Sequence, residues 1–354
     1  MDSSSDSLDH NSGVGKHHAQ FEIGGLLIEL CVSFWKSRSL FVAAKLDLAV
    51  HLLDGSKSVE VLAELVGANK ESLFRLMRAL STIDIFEQVS PRVFANTPIS
   101  HHLAVNRDIH AVIVSEGNDN NYRLWESFCD TVKSGKTNSV ERVFGVPTMW
   151  MAMQADPKYE EDFKKSMTAL TNFKVPHLAG LYDYSKFDTV VDIGGSEGIL
   201  MAELLRRYPN IKKGINFDTP TVISNNKRRG LRHSDDERYH DVGGDFFEHV
   251  PEADCFVLKQ ILHDWNDQCC RDILQCLYRS LRPYGQICIY DSIVERESPV
   301  YGQACWVDLH MMQLIDGKER SEAEWRDLAE SAGFKVDKLI ANELVVLTKK
   351  HSLQ

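Results

Sequence analysis

The clearest hydrophobic pattern of this chain lies after residue 187, where short apolar runs alternate with amphipathic stretches. Two of the stretches, ILMAELLRRYP and DQCCRDILQCLYRSL, place their apolar residues at helical spacing. The other runs have the length and β-branched content of strands: FDTVVDIG, KKGINFD, RYHDVGG, ADCFVLKQI and GQICIYDSIV. Strands that alternate with helices predict an α/β fold with a parallel sheet covered on both faces, and its ligand at the carboxyl ends of the strands.

The first half of the chain is predicted to be mainly helical. Residues 21–53 carry apolar positions at helical spacing with few charges, which predicts a helical pair buried in a partner subunit. Residues 56–100 predict a helix, a turn at 66–69, a second helix to about Thr82 and two short strands near residue 90. This is the pattern of a winged helix-turn-helix.

A winged helix raises the hypothesis of DNA binding, and charge argues against it. The second helix offers only Lys70, Arg75 and Arg78, whereas most of its other residues are apolar and demand burial. The formal net charge of the chain is −11, with a pI near 5.7, so no general field attracts a polyanion. We therefore favour a structural, dimer-forming use of this fold.

Composition excludes several further classes of protein. No uninterrupted apolar run reaches the roughly 18 residues of a membrane helix, and the start of the chain lacks the basic-then-apolar order of a signal peptide. We expect a cytoplasmic protein that binds neither membrane nor nucleic acid. The eight cysteines show no CxxC pair and no companion histidine spacing, so neither a disulfide framework nor a metal site is predicted.

These patterns divide the chain into four parts. The start is rich in Ser, Asp and His without an apolar face, and a helix signal at Asp156 and Pro157 lies in the middle of the chain. We predict a disordered tail at 1–20, a winged-helix dimerisation domain at 21–110, a helical linker and substrate-pocket segment at 111–184, and an α/β domain at 185–354.

The stretch VVDIGGSEG, residues 190–198, ends the first predicted strand in a glycine turn. A dinucleotide fingerprint needs G-x-G-x-x-G, but Ser196 and Ile199 occupy the positions where a pattern that starts at Gly194 needs glycine. The turn instead approximates the D-x-G-x-G-x-G of S-adenosylmethionine sites, with Asp192 first. The second strand ends in Asp218, whose carboxylate can accept both ribose hydroxyls. This acidic strand end is common to NAD and S-adenosylmethionine sites.

The next segment resembles a known family. VGGDFFEHVPEADCFVLKQILHDWND is similar to the corresponding segment of the plant-type small-molecule O-methyltransferases, and GINFDTPTVI and DGKERSEAEW extend the resemblance over nearly the whole chain. The resemblance implies a Rossmann-like S-adenosylmethionine methyltransferase domain preceded by a mainly helical winged-helix dimerisation domain. It also implies a homodimer that methylates a small aromatic substrate without metal.

The resemblance further implies a role for individual residues. It assigns His263 as the catalytic base, flanked by two acidic residues, Asp291 and Glu319. The cofactor residues would be Gly194, Gly195 and Ser196 at the methionine end, Asp218 at the ribose, Asp245 and Phe246 at the adenine, and Lys259. The acceptor pocket would be shaped by Phe163, Met167, Trp265, Asp308, Met311 and Met312.

These residue types suit methyl transfer to oxygen. A phenol has a pKa near 10, so a base within hydrogen-bond reach of the hydroxyl makes the oxygen a better nucleophile, and histidine has an ordinary pKa of about 6.5. A carboxylate on the far ring nitrogen fixes the tautomer and stabilises the imidazolium, and either Asp291 or Glu319 can supply it. N-methylation of a heteroaromatic ring and a catalytically silent winged-helix regulator stay open as alternatives.

Two residues of the turn depart from the family pattern. Ser196 adds a side chain where glycine is usual, and Glu197 stands where the family has a small hydroxyl residue. The carboxylate of Glu197 has two possible effects: it favours the following helix N-terminus and a positive sulfonium, or it crowds the cofactor.

Overall fold

The computed structural model describes residues 22–230 and 235–350, so the predicted tail at 1–20 lies outside the described residues. The chain forms two compact units, Met1–Asn118 and Asp119–Gln354. The boundary predicted at residue 110 falls inside a helix, Arg107–Glu116, which belongs to the first unit.

The first unit has six described helices and one small sheet. The helices are α1 (22–31), α2 (Phe34–Lys45), α3 (Val59–Val66), α4 (Lys70–Ser81), α5 (Pro98–Val105) and α6 (Arg107–Glu116), with a 3₁₀ turn at Val50–Leu52. The strands β1 (Lys57–Ser58), β2 (Phe86–Ser90) and β3 (Val93–Asn96) form an antiparallel sheet in the order β1-β3-β2.

The predicted helix-turn-helix is confirmed, and its turn has a clear local cause. Gly67 ends α3 in the left-handed conformation, with a φ of 64°, which glycine adopts without steric cost. Asn69 then caps α4 by accepting hydrogen bonds from the backbone N–H groups of Glu71 and Ser72 at 3.1 and 3.0 Å. The apolar face of α4 is buried through Leu73 and Met77.

The helices α1 and α2 expose a large apolar surface in the single chain. Monomeric proteins seldom leave contiguous apolar side chains uncovered in this way. The exposed residues are Ile23, Leu26, Leu27, Ile28, Leu30, Phe34 and Trp35.

The second unit begins with a helical region and continues as an α/β domain. Its helices are α7 (Asp119–Leu124), α8 (Phe128–Ser134), α9 (Ser139–Phe144), α10 (Met149–Ala155), α11 (Pro157–Leu178), α12 (Ile199–Arg207), α13 (Pro220–Arg229), α14 (Asp267–Ser280), α15 (Tyr301–Ile315) and α16 (Glu322–Ser331), with 3₁₀ turns at Trp125–Ser127 and Leu262–Asp264. Its strands are β4 (Thr189–Ile193), β5 (Lys213–Asp218), β6 (Tyr239–Gly243), β7 (Ala253–Lys259), β8 (Leu281–Tyr290), β9 (Phe334–Ile340) and β10 (Leu344–Lys349).

The strands form one twisted seven-stranded sheet in the order β6-β5-β4-β7-β8-β10-β9. The first five are parallel, as predicted, and β10 and β9 add an antiparallel edge that the sequence analysis did not predict. Apolar clusters lie on both faces. One contains Val191, Ile273 and Trp325, and the other contains Val190 and Leu204, so the predicted coverage by helices on both faces is confirmed.

Helix α11 begins where the sequence predicted. Asp156 caps it by accepting hydrogen bonds from the N–H groups of Lys158 and Tyr159, both at 3.0 Å, and Pro157 occupies the first helical position. None of the helices in the two described ranges combines the length and hydropathy needed to span a bilayer.

Candidate active site

The glycine turn follows β4 and is packed tightly against β5. Gly194 and Ser196 have positive φ angles of 68° and 51°. A Cβ atom on Gly195 would lie 2.2 Å from the Oδ1 atom of Asn216, so this position requires glycine. The N–H groups of Gly194 and Gly195 donate to the carbonyl of Phe217 at 2.8 and 3.3 Å, which fixes the turn at the end of the neighbouring strand.

Ser196 tolerates its left-handed conformation because polar groups hold it on both sides. Its N–H donates to Oδ2 of Asp218 at 2.9 Å. Its carbonyl accepts hydrogen bonds from Nδ2 of Asn216 and of Asn226, at 3.1 and 2.8 Å. Both amide side chains are buried. Serine can therefore stand in this turn, at a steric cost that glycine would not incur.

The carboxylate of Glu197 is paired on both oxygens. The residue is only 9% exposed. Oε1 accepts a hydrogen bond from Nη1 of Arg229 at 3.0 Å, and Oε2 accepts one from Oγ1 of Thr168, also at 3.0 Å. These partners lie on α13 and α11, so the acidic residue of the turn links two helices to it.

The carboxylates near the turn suit an uncharged diol and a cationic group. Burial raises the pKa of Asp218, although the backbone N–H groups of Ser196 and Thr219 counteract the shift. Two of its roughly four acceptor positions are used by those groups, which leaves positions for ribose hydroxyls. Burial also raises the pKa of Asp192 to about 7, and the charge of Lys259 opposes that shift. These hydrogen-bond acceptors thus fit the ribose and the sulfonium of S-adenosylmethionine.

The residues predicted for the adenine lie after β6, and Phe246 among them packs against Trp265, which was predicted for the acceptor pocket. Asp245 is exposed, and its Oδ1 accepts from the N–H of Phe247 at 2.8 Å. The rings of Phe246 and Phe247 meet that of Trp265 edge-on at 6.2 and 4.9 Å. Trp265 therefore packs beside the predicted adenine residues. Lys259 ends β7, and burial lowers its pKa.

His263 lies in the 3₁₀ turn after β7 and is 6% exposed. Its Nδ1 is 2.7 Å from Oε1 of Glu319, and its Nε2 makes a longer ionic contact of 3.3 Å with Oδ1 of Asp264. Burial lowers the pKa of His263, but the hydrogen bond with Glu319 and the charges of Asp291 and Asp264 outweigh burial and raise the pKa to about 9.

The geometry distinguishes the two candidate carboxylates. Asp291 follows β8 and is 3% exposed, and neither of its oxygens has a hydrogen-bond partner in the described part of the chain. Burial raises its pKa to about 7. The direct hydrogen bond to His263 comes from Glu319, and Asp291 acts on the imidazole through its charge.

Sequence reasoning missed the residue that holds the His263 turn in place. Arg320 is fully buried, and its guanidinium donates to the carbonyls of Leu262 and Trp265 at 3.0 and 2.9 Å, on either side of His263. It also donates to Oδ1 of Asp267 at 2.9 Å. The available signal was its place directly after Glu319 in the segment DGKERSEAEW.

Five of the six predicted acceptor residues lie on α11 and α15. The half-buried side chains of Phe163 and Met167 are on α11, and those of Met311 and Met312 are on α15. Asp308, also on α15, accepts a hydrogen bond from the N–H of Glu319 at 2.9 Å, so it braces the partner of His263.

The sequence analysis also missed His310. Its ring stacks on Trp125 at 6.1 Å with an interplanar angle of 25°. Burial lowers the pKa of His310, and the charge of His263 lowers it further.

No group of three or more His, Cys, Asp or Glu side chains within 22–230 and 235–350 has the arrangement of a metal site.

Comparison with known proteins defines the class. An O-methyltransferase domain model matches residues 125–335, and an O-methyltransferase dimerisation domain model matches residues 28–106. O-methyltransferase 9 of Dictyostelium discoideum is 34% identical over 89% of this chain and 88% of its own length. The phenazine O-methyltransferase PhzM of Lysobacter antibioticus is 31% identical over 90% of this chain and 93% of its own.

Among solved structures, the O-methyltransferase NcsB1 from neocarzinostatin biosynthesis is 26% identical and superposes with a TM-score of 0.75, over 89% of this chain and 96% of its own. That structure is a complex with S-adenosylhomocysteine and 1,4-dihydroxy-2-naphthoic acid. The family model and this solved structure define a methyltransferase with S-adenosylmethionine as its cofactor. The chain belongs to the family of S-adenosylmethionine-dependent O-methyltransferases.

Proposed function

We propose that this protein transfers a methyl group to a hydroxyl of a small aromatic metabolite, with His263 as the general base. The observation that carries the proposal is the buried pair of His263 and Glu319, with Nδ1 and Oε1 at 2.7 Å. When the imidazole is neutral, this hydrogen bond places its proton on Nδ1 and leaves Nε2 as the acceptor for a hydroxyl proton.

The raised pKa of His263 suits a phenolic acceptor. The pKa of His263, about 9, is close to the pKa of a phenol, about 10. The free energy of transferring the hydroxyl proton to Nε2 is therefore small. The same shift keeps the imidazole largely protonated at pH 7. The rate of methyl transfer is therefore expected to rise with pH and to level off near pH 9.

The cofactor residues act by holding and orienting. Bound S-adenosylmethionine supplies an activated methyl group on a sulfonium and leaves as a neutral thioether. Asp218 would accept hydrogen bonds from the ribose, and Asp245 and Phe246 would contact the adenine. The turn of Gly194, Gly195 and Ser196 would receive the methionine end, and Lys259 would also contact the cofactor. Alignment of donor and acceptor then accounts for much of the rate.

An aromatic acceptor is supported by the pocket residues and by the relatives. Phe163 and Met167 on α11 and Met311 and Met312 on α15 offer apolar and polarisable contact to a flat ring. The names of two relatives refer to a phenazine and to 1,4-dihydroxy-2-naphthoic acid, both of which are fused aromatic systems.

We further propose that the protein is a homodimer in the cytoplasm. Of the seven apolar side chains exposed on α1 and α2, three lie just before residue 28, where the matched dimerisation domain begins, and four lie within it. A second copy would cover them.

The test begins with calorimetric titration of S-adenosylmethionine into the protein and into the Asp218→Ala variant. We expect micromolar binding to the wild type and at least a tenfold loss in the variant. Turnover is then assayed with 1,4-dihydroxy-2-naphthoic acid and a panel of phenols. We expect His263→Ala to lower kcat by about 10² to 10⁴ with unchanged cofactor affinity.

Two outcomes would contradict the proposal. Methylation of ring nitrogens that persists in His263→Ala would favour an N-methyltransferase. Tight cofactor binding without turnover of any acceptor would favour the catalytically silent regulator.

A further inference from the structure

Glu197 occupies a position in the glycine turn where its charge requires partners. A carboxylate that is 9% exposed is costly unless it is paired and hydrogen-bonded. Arg229 supplies the opposite charge from α13, and Thr168 supplies a hydroxyl from α11, each at 3.0 Å. The bond to Thr168 joins the turn directly to the helix that carries Phe163 and Met167.

Helix α11 connects two apolar clusters, and Thr168 lies between them. Near its start, Tyr159 and Phe163 pack with Leu124 and Val140. At its end, Val175 and Leu178 pack against the sheet. Between these clusters α11 buries only the small side chains of Ser166 and Ala169, so the hydrogen bond of Thr168 is a specific contact that joins this part of the helix to the turn.

A second side chain on the same face of α11, that of Lys164, is hydrogen-bonded within the helix to Oε1 of Glu160 at 2.5 Å, and its charge also acts on a predicted cofactor residue. Lys164 lies four residues before Thr168, which places both on one face of the helix. The charge of Lys164 acts on Asp218, where it helps to lower the carboxyl pKa against the effect of burial. The side of α11 that carries Lys164 and Thr168 therefore lies near both the turn and Asp218.

We propose that Glu197 is a positioning residue that couples occupancy of the glycine turn to the order of helix α11. This inference rests on the proposed function. A ligand that immobilises the turn also immobilises Glu197, and the bond to Thr168 transmits that restriction to the neighbouring Met167. By linkage, an acceptor held against α11 then strengthens binding at the turn by the same factor.

The test uses S-adenosylhomocysteine as the probe and hydrogen exchange as the readout. Thr168→Val removes the hydroxyl with little change of shape, and Thr168→Ser retains it. Thr171→Val is the matched control, because it makes the same change on α11 at a hydroxyl whose described hydrogen bond, to the carbonyl of Met167 at 2.8 Å, stays within the helix. Amides of α16 serve as the internal reference for global stabilisation by the ligand.

The expected result is that S-adenosylhomocysteine slows exchange in the middle of α11 about tenfold more than in α16, in the wild type, Thr168→Ser and Thr171→Val. In Thr168→Val this difference should fall below about threefold, while the Kd for the probe changes by less than about fivefold. If Thr168→Val does not fold, the Thr168→Ala variant carries the same expectation.

Undiminished protection of α11 in Thr168→Val would overturn the inference. So would a wild-type protein that binds the probe without any selective protection of α11, and in that case the proposed function would stand. If the wild type fails to bind S-adenosylhomocysteine, both the inference and the proposed function are wrong.

Discussion

The glycine turn and the His263 site are both held by buried polar side chains, yet the chemistry of the two supports differs. The carbonyl of Ser196 is held by two neutral amides, those of Asn216 and Asn226. His263 is held by ions, directly by Glu319 and through its backbone neighbours by Arg320. The neutral hydrogen bonds to the carbonyl of Ser196 do not depend on pH, whereas the ions around His263 set both the position and the pKa of its ring.

The largest expected effect comes from the ionic support. Arg320→Met should lower the free energy of unfolding by about 3 kcal/mol, because two buried carbonyls next to His263 lose their donor. Urea denaturation measures the change. Lys318→Met is the matched control, since Lys318 also pairs with Asp267 but is partly exposed, and it should cost less than about 1 kcal/mol. Equal losses of unfolding free energy in the two variants would show that Arg320 stabilises the His263 turn no more than a partly exposed cation does.

The next effect is on the titration of His263. In Glu319→Gln the pKa should fall by about two pH units from its value of about 9, because the strongest interaction that raises it is removed. Because the folded-state pKa is raised, the stability that His263 contributes is complete below about pH 6.5 and is lost as the pH rises through about 9. NMR titration of the histidine rings measures the midpoint.

The same NMR titration of the Asn226→Ala variant tests whether the glycine turn and the His263 site are independent. The midpoint of His263 should be unchanged there, because a neutral amide at the turn has no effect on the imidazole charge. A shift of the midpoint in that variant would mean that the two sites are not independent.

A smaller effect is expected from the neutral support. Asn226→Ala removes one of the two donors to the carbonyl of Ser196 and should cost about 1 kcal/mol of stability. It should also weaken S-adenosylmethionine binding several-fold, as measured by calorimetry. Asn225→Ala, one position earlier on α13, is the control and should leave the cofactor affinity unchanged.

The smallest effect concerns the serine of the turn. Ser196→Gly should raise stability by roughly 0.5 kcal/mol, because relief of the left-handed conformation slightly exceeds the added entropy of the unfolded chain. Thermal denaturation at one pH measures it. The neighbouring position should respond in the opposite direction to a change of this kind. Gly195→Ala adds a Cβ atom and should destabilise the turn, since that atom would lie 2.2 Å from Oδ1 of Asn216. A stabilised Gly195→Ala variant would contradict the account of the turn.

The predictions from sequence succeeded where a local signal exists. Gly67 and Asn69 marked the turn between α3 and α4, Asp156 marked the start of α11, and the alternation of apolar runs marked the five parallel strands. The strands β9 and β10 were missed. They pair with each other as neighbours in sequence, but their place in the sheet is decided by the pairing of β10 with β8, whose residues lie more than fifty positions earlier.

The candidate site likewise contains residues that the sequence predicted and contacts that only the tertiary structure decided. The pattern of residues along the chain was sufficient for the glycine turn, for Asp218 and for His263 as candidates, because each follows directly from a strand end and a motif. Folding decided that Glu319 rather than Asp291 bonds to the imidazole, that Arg320 supports its turn, and that Thr168 and Arg229 bind Glu197. These contacts join residues between 29 and 58 positions apart, and a buried charge takes whichever partner the packing of the sheet and its helices brings within reach.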